Sequence, residues 1–174
     1  VKGEKEFLGK GVSYCATCDA PFYRGKNVAV IGGANSACMA SALIAEYADK
    51  VYQVYRQSEL RAEPTWIDRI LGNKKIEVIY NANVTEIFGS RFVEKIKLDN
   101  GKDLHVDGVF IEIGAVPNIA LIKELGINAD KSDQIIVDAE MKTNVPGVYA
   151  AGDVINSKLK QMVTAAGDGA RAAL

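Results

Sequence analysis

Residues 1–12 are mostly polar, and the chain turns apolar after Lys26. Asn27-Val28-Ala29-Val30-Ile31 is a short apolar run opening into Gly32-Gly33-Ala34-Asn35-Ser36-Ala37, the form of a buried strand entering a tight turn. Residues 36–48 then repeat at helical spacing, with Ala37, Ala40, Leu43, Ile44 and Tyr47 on one face. A second strand is predicted over 51–55, at a distance that closes a βαβ unit. Pro64 suits the first turn of a short helix carrying Trp66, Ile67, Ile70 and Leu71.

Beyond residue 75 the texture changes. Segments 76–80, 84–88, 92–98, 104–106 and 109–113 are short and apolar-rich, and Asn100-Gly101 is a strong hairpin signal between two of them. The pattern predicts a β-meander inserted into a parallel-sheet domain. Gly114-Ala115-Val116-Pro117-Asn118 breaks it as a domain junction would. A helix over 119–125 is expected next, then short strands near 135–137 and 147–150. After the turn Ala151-Gly152-Asp153, a last helix begins near Lys160. That helix shows neither a C-cap signal nor a polar tail, and the chain does not begin with Met. Both features suggest a fragment.

A length of 174 residues allows one large domain or two small ones, and 48% apolar with 25% charged residues is ordinary for a globular chain with a core. The net charge of −1 carries no nucleic-acid footprint. No apolar run approaches the roughly 20 residues that span a bilayer, and the N-terminus lacks the apolar stretch of a signal peptide. Three cysteines without a secretory signal favour a reducing, cytoplasmic setting, where a Cys-x-x-Cys pair serves catalysis or metal binding more often than stapling.

Such a pair is present in Cys15-Ala16-Thr17-Cys18-Asp19, upstream of the glycine turn. Two cysteines at this spacing can open and close as a disulfide, and a glycine-rich strand-to-helix turn is where a dinucleotide pyrophosphate binds. Together they suggest electrons moving between a pyridine nucleotide and a disulfide. The competing reading of the pair is half a zinc site, for which Cys38 and His105 are the remaining candidates, neither at metal spacing. Cys38 otherwise reads as a packing residue and His105 as a sheet residue. Arg56 and Arg61 are phosphate ligands or solvated charges, and Trp66 reads as core. Glu112 interrupts an apolar strand, either as a hydrogen-bonded carboxylate near the nucleotide site or as a strand-end charge.

The run 11–23 around the dithiol resembles the redox centre of low-molecular-weight thioredoxin reductases. Gly32 to Ala37, Arg56 with Arg61, Gly114-x-x-Pro117 and 148–154 follow in the same order along nearly the whole chain. The resemblance implies an α/β architecture: a Rossmann-like βαβ pyridine-nucleotide domain with an inserted β-meander, followed by the C-terminal part of a three-layer FAD-binding domain. Residues 1–9 are then a hinge or lead-in, 10–113 the nucleotide domain with the dithiol, and 114–174 the returning FAD part, whose first half is missing.

The activity so implied is a thioredoxin-disulfide reductase passing electrons from NADPH through FAD to the Cys15–Cys18 disulfide. Cys18 faces the flavin, Cys15 attacks the partner disulfide, and Asp19 acts as acid and base, a role that asks for partial burial of its carboxyl. The implied nucleotide ligands are Gly32, Gly33, Ala34, Asn35, Ser36, Ala37, Arg56, Gln57, Arg61, Ile113 and Gly114. For FAD they are Gly152, Asp153, Lys160, Gln161 and Met162, with no metal. Ala34 stands where the family's second glycine lies, which is expected to weaken or shift nucleotide binding. Gln57 replaces one of two adjacent arginines, so NADH is not excluded. Lys160 and Met162 depart from the commoner Arg and Ala. The expected partner is a thioredoxin-like or glutaredoxin-like protein, and the complete protein is expected to be a homodimer. The alternatives are the reductase component of a peroxiredoxin system, or a non-catalytic nucleotide-binding or redox-sensing module.

Overall fold

In the computed structural model, residues 1–114, 122 and 124–174 are described. The chain forms two compact units, Val1–Gly114 and Ala115–Leu174.

The first unit is built on a five-stranded parallel sheet. Its strands are β1 (Val12–Ser13), β2 (Asn27–Ile31), β3 (Lys50–Val54), β4 (Ile76–Ile79) and β8 (Gly108–Ile111), in the order β1-β8-β2-β3-β4. Strand β2 alternates strictly: Val28 and Val30 face one side, Ala29 and Ile31 the other, and all four are buried. Helix α2 (Asn35–Ile44) packs Ala37, Ala40 and Ile44 against Val28, Val30, Val51 and Phe110 on the first side. Helix α3 (Pro64–Leu71) extends that layer, with Ile70 buried beside Cys38 and Ala42. On the opposite side lies an antiparallel sheet of β5 (Val84–Gly89), β6 (Val93–Leu98) and β7 (Asp103–His105). Its inward residues Ile87, Ile96, Leu98 and Leu104 share a core with Ala29, Ile31, Val109 and Ile111. The first unit therefore has three layers: helices, parallel sheet and meander.

Several expectations are corrected. The meander has three strands rather than five, because β4 pairs parallel with β3 and β8 lies parallel between β1 and β2. The burial of β8 on both faces is the mark of an interior parallel strand, whereas β6 buries Ile96 and Leu98 and exposes Lys97 between them, as a one-sided sheet does. Helix α2 stops at Ile44, and the following turn is closed by the Lys75 ammonium, which donates to the carbonyls of Ala45 and Ala48 at 3.1 and 2.8 Å. The short helix carrying Trp66, Ile67, Ile70 and Leu71 forms as expected, with Ile70 buried and Leu71 exposed at its end. The polar lead-in is tied down: Phe7 is buried in the core, and Lys2 pairs with Glu86. The Asn100-Gly101 turn joins β6 to β7 as expected, with Gly101 at φ +84°.

The second unit contains helix α4 (Met162–Ala172), started by a capping box between Gln161 and Thr164. The strands expected near 135–137 and 147–150 are single bridges, Ala129 with Ile135, Ile135 with Ile155, and Lys142 with Tyr149. Left-handed residues at Asp133, Met141 and Gly147 interrupt the extended runs before a ladder can grow. The helix expected over 119–125, and residues 115–118 of the junction, fall largely or wholly outside the described residues. No described helix is long and apolar enough to cross a membrane.

Candidate nucleotide and dithiol site

The glycine turn forms because two side chains there have no room. Gly32 sits at φ +142°, and a Cβ on it would lie 2.2 Å from the backbone oxygen of Glu112. A Cβ on Gly33 would lie 2.3 Å from the Tyr55 ring. Buried Gln53 donates from its amide to the Gly32 carbonyl at 3.2 Å, and the Arg61 backbone N–H donates to the Gly33 carbonyl at 2.7 Å. Ala34, at φ −95°, begins α2 and offers no side-chain cap. The helix therefore presents its first backbone N–H groups and the positive end of its dipole at the carboxyl edge of the sheet.

A hollow of about 610 Å³ opens on this turn. It runs along the ends of four strands: Glu112, Ile113 and Gly114 after β8, Ile31 to Ala34 and Ser36 after β2, Tyr55 and Arg56 after β3, and Asn83 beyond β4, with Arg61 alongside. Of the expected nucleotide residues, Gly32, Gly33, Ala34, Ser36, Arg56, Arg61, Ile113 and Gly114 line it. The other three do different work. Ala37 is buried beneath Gly32, and Asn35 bonds Glu63 at the start of α3. Gln57 accepts a hydrogen bond from the Tyr55 hydroxyl at 3.2 Å, so it orients that ring. Tyr55 and Asn83 were missed by sequence reasoning. For Tyr55 the signal was its place just before Arg56, and for Asn83 there was none.

Glu112 resolves as a half-buried carboxylate in this hollow. Burial pushes its carboxyl above the ordinary range, opposed in part by a hydrogen bond with Ser36.

The dithiol lies in the same unit. Cys15 and Cys18 form a disulfide with Cα atoms 5.3 Å apart. Cys15 caps helix α1 (Ala16–Asp19), and its Sγ accepts from the Cys18 backbone N–H at 3.2 Å. Cys18 is exposed. A groove beside Cys15 is lined by Thr17, Met39, Leu43 and Trp66, and it also touches Ser36 and Glu112. Asp19 faces a different hollow, with Phe22, Tyr23, Lys26 and Asp107. Burial, and then the Asp19 charge, push the Tyr23 phenol up. Cys38 is buried, its thiol pushed up by burial, and His105 is exposed on β7.

In the second unit the expected flavin residues cluster around a short 3-10 turn, Gly152–Val154. The Lys160 ammonium donates to the carbonyls of Asp153 and Ile155, both at 2.7 Å, so it ties this turn to the start of α4. Gly152, at φ +77°, approaches α4 closely: a Cβ there would lie 3.2 Å from that of Ala165. Gln161 and Met162 are exposed at the head of the helix. An exposed carboxylate, a glycine close approach and a bare apolar side chain fit a surface able to take a flavin nucleotide.

The sequence pattern described as pyridine nucleotide-disulphide oxidoreductase matches residues 1–169. The chain belongs to that family. Within it, this member is 43% identical over 173 residues to a thioredoxin reductase of Listeria innocua, covering 96% of this chain and 54% of that protein. Over 179 residues it is 36% identical to the F component of the alkyl hydroperoxide reductase of Staphylococcus aureus, covering all of this chain and 35% of that one. The crystal structure of Lactococcus lactis thioredoxin reductase superposes with a TM-score of 0.93 at 35% identity, covering 99% of this chain and 59% of that one. The chain thus spans about half the length of the thioredoxin reductases it resembles, and its α/β fold is theirs.

Proposed function

We propose that this chain is the nucleotide-and-dithiol portion of an NAD(P)H-dependent thioredoxin-disulfide reductase. The observation that carries this reading is one compact unit with a Cys15–Cys18 disulfide, a glycine turn and two arginines at the same sheet edge. Residues 10–113 are assigned to pyridine-nucleotide binding and 114–174 to part of an FAD domain. The first N–H groups of α2 take the pyrophosphate, while Arg56 and Arg61 favour the 2′-phosphate of NADPH. Ala34 narrows the cradle by one methyl, and NADH remains a competing donor. Gly152, Asp153, Gln161 and Met162 hold FAD, with Lys160 fixing the turn that carries them. When bound, FAD relays two electrons from the reduced nicotinamide to the disulfide.

The rest of the chemistry belongs to the side chains. Two electrons and two protons open Cys15–Cys18 to a dithiol. The Cys18 backbone N–H beside the Cys15 sulfur favours negative charge there. Cys15 thiolate attacks the partner disulfide, forming a mixed disulfide and releasing one partner thiolate, which takes up a proton. Cys18 then attacks Cys15, restores the internal disulfide and releases the second partner sulfur. Asp19 is assigned the acid-base role. The partner is a thioredoxin-like or glutaredoxin-like protein, the complete protein a cytoplasmic homodimer.

A second reading, the reductase of a peroxiredoxin system, is favoured by the likeness to the S. aureus alkyl hydroperoxide reductase component. The deciding experiment is the visible spectrum of the purified chain, followed by anaerobic NADPH and then oxidised thioredoxin. A flavin band bleached by NADPH and restored by thioredoxin supports the first reading. Restoration by a peroxiredoxin but not by thioredoxin supports the second. If a bound flavin does not bleach with either NADPH or NADH, both readings fail.

A further inference from the structure

Glu112 is held in place by main-chain contacts. Its N–H donates to the Ile31 carbonyl at 2.8 Å, and its own carbonyl oxygen lies so close to Gly32 that no side chain fits there. The side chain stands at the β8 end of the hollow, beyond the glycine turn from the arginines. Neighbouring strands are about 4.8 Å apart, so the ends of β8 and β3 flank β2 at a separation of about 10 Å. A pyrophosphate over the β2–α2 turn therefore sends one nucleoside towards Arg56 and the other towards Glu112.

Charge decides which goes where. Among the described residues, Arg56 and Arg61 are the basic groups lining the hollow, and Glu112 is its acidic one. A phosphate-bearing adenosine is drawn to the arginines and repelled by a carboxylate. The remaining half offers ribose hydroxyls and a carboxamide, which are donors. An ionised carboxylate has about four acceptor sites, and the Ser36 hydroxyl, which lines the same hollow, can fill at most one of them. Desolvation with unused acceptor capacity is relieved by a ligand that donates.

We propose that Glu112 is the residue that recognises the nicotinamide half of the dinucleotide, its carboxylate accepting hydrogen bonds from the ribose or carboxamide while Arg56 and Arg61 hold the adenylate half. The proposal rests on the reading of this hollow as a pyridine-nucleotide site, and deepens it by dividing the site between two ends.

The test compares whole and half ligands by calorimetry on the 174-residue chain. NADP+ is titrated against 2′,5′-ADP, and NAD+ against 5′-AMP, into the wild type, Glu112→Gln and Glu112→Ala. A melting curve confirms that each variant is folded. Glu112→Ala is expected to weaken the whole dinucleotide about tenfold or more, while the half ligand binds within about twofold of wild type. Glu112→Gln, which keeps one acceptor oxygen, is expected to fall between. A general effect of Glu112 on the shape of the turn would weaken whole and half ligands alike, and that result overturns the proposal. So does unchanged binding of both. If the wild type binds neither dinucleotide nor half ligand, the nucleotide reading of the hollow itself falls, and this assignment with it.

Discussion

The first unit sets its candidate site at the edge of a continuous sheet, whereas the second holds its candidate residues on a short 3-10 turn and at the head of a helix. In residues 1–114, every strand that contributes to the hollow is hydrogen-bonded to a neighbour along a ladder, and both faces of the parallel sheet are covered. In the second unit the core gathers around Ile122 and Ile135, the pairings are single bridges, and Met162 and Val163 stand exposed. A nucleotide turn placed by a sheet is fixed by contacts distant in sequence. The turn at Gly152 is fixed by the Lys160 ammonium and by a single bridge to Ile135, whose N–H donates to the Val154 carbonyl at 2.9 Å. The contrast is between a turn set in a continuous ladder of strands and a turn held by one isolated bridge and one ammonium.

The sharpest way to break this comparison is at the dithiol. Cys18→Ser removes the internal disulfide, and disulfide reduction by the assembled enzyme is expected to fall to background. NADP+ binding by the first unit should stay unchanged, read by calorimetry on the same protein. A variant that still turns over thioredoxin would remove the dithiol from the mechanism.

Next in size is Gly32→Ala. The added Cβ would strike a backbone oxygen at a left-handed residue, so overpacking and strain together should cost about 3 kcal/mol. Denaturant unfolding followed by Trp66 fluorescence, a probe inside the first unit, should register that loss. Ile135→Ala makes the corresponding cut in the second unit. Ile135 is 4% exposed, and truncation should cost about 2–3 kcal/mol. Its signature is loss of α4 helicity by circular dichroism with the nucleotide affinity of the first unit preserved. If nucleotide binding falls as well, the units are not energetically separate.

Arg61→Ala is expected to weaken 2′,5′-ADP binding about tenfold, as loss of one charge-assisted contact to a phosphate should. Binding of 5′-AMP should change little, and equal losses for both would deny these arginines a part in phosphate selection.

The smallest effect concerns pH and Glu112. Its folded carboxyl lies above the ordinary value through burial. The folded state therefore holds the proton where the unfolded chain releases it, and stability declines as pH rises from the ordinary carboxyl value through the raised one. Glu112→Gln removes that slope, so its melting temperature at neutral pH should match or slightly exceed that of wild type. A melting curve in which the variant is clearly less stable at neutral pH would mean that the ionised carboxylate supports the fold.

Much of this was legible from one strand and one motif. Strand β2 and the turn after it announce themselves through an apolar run ending in two glycines, and the β6–β7 hairpin through Asn100-Gly101. The dithiol is likewise a local signal. Assignment of the apolar segments to sheets was not legible. The segments at 76–80 and 109–113 resemble the meander strands between them, yet they belong to the parallel sheet. Strand β8 pairs Gly108 with Val28 across eighty positions, and no short window carries that information.

The same division separates the residues of the site. Local patterning determined that a glycine turn, two arginines and a Cys-x-x-Cys-Asp run exist, because backbone freedom, charge and sulfur chemistry belong to residue types and their spacing. Tertiary structure decided their arrangement. Gln57 orients Tyr55, Asp19 faces a hollow that Cys15 does not line, and Glu112 stands across the turn from Arg56. Each of these outcomes depends on which strand lies beside which, a choice made by burying both faces of the sheet at once rather than by any single segment.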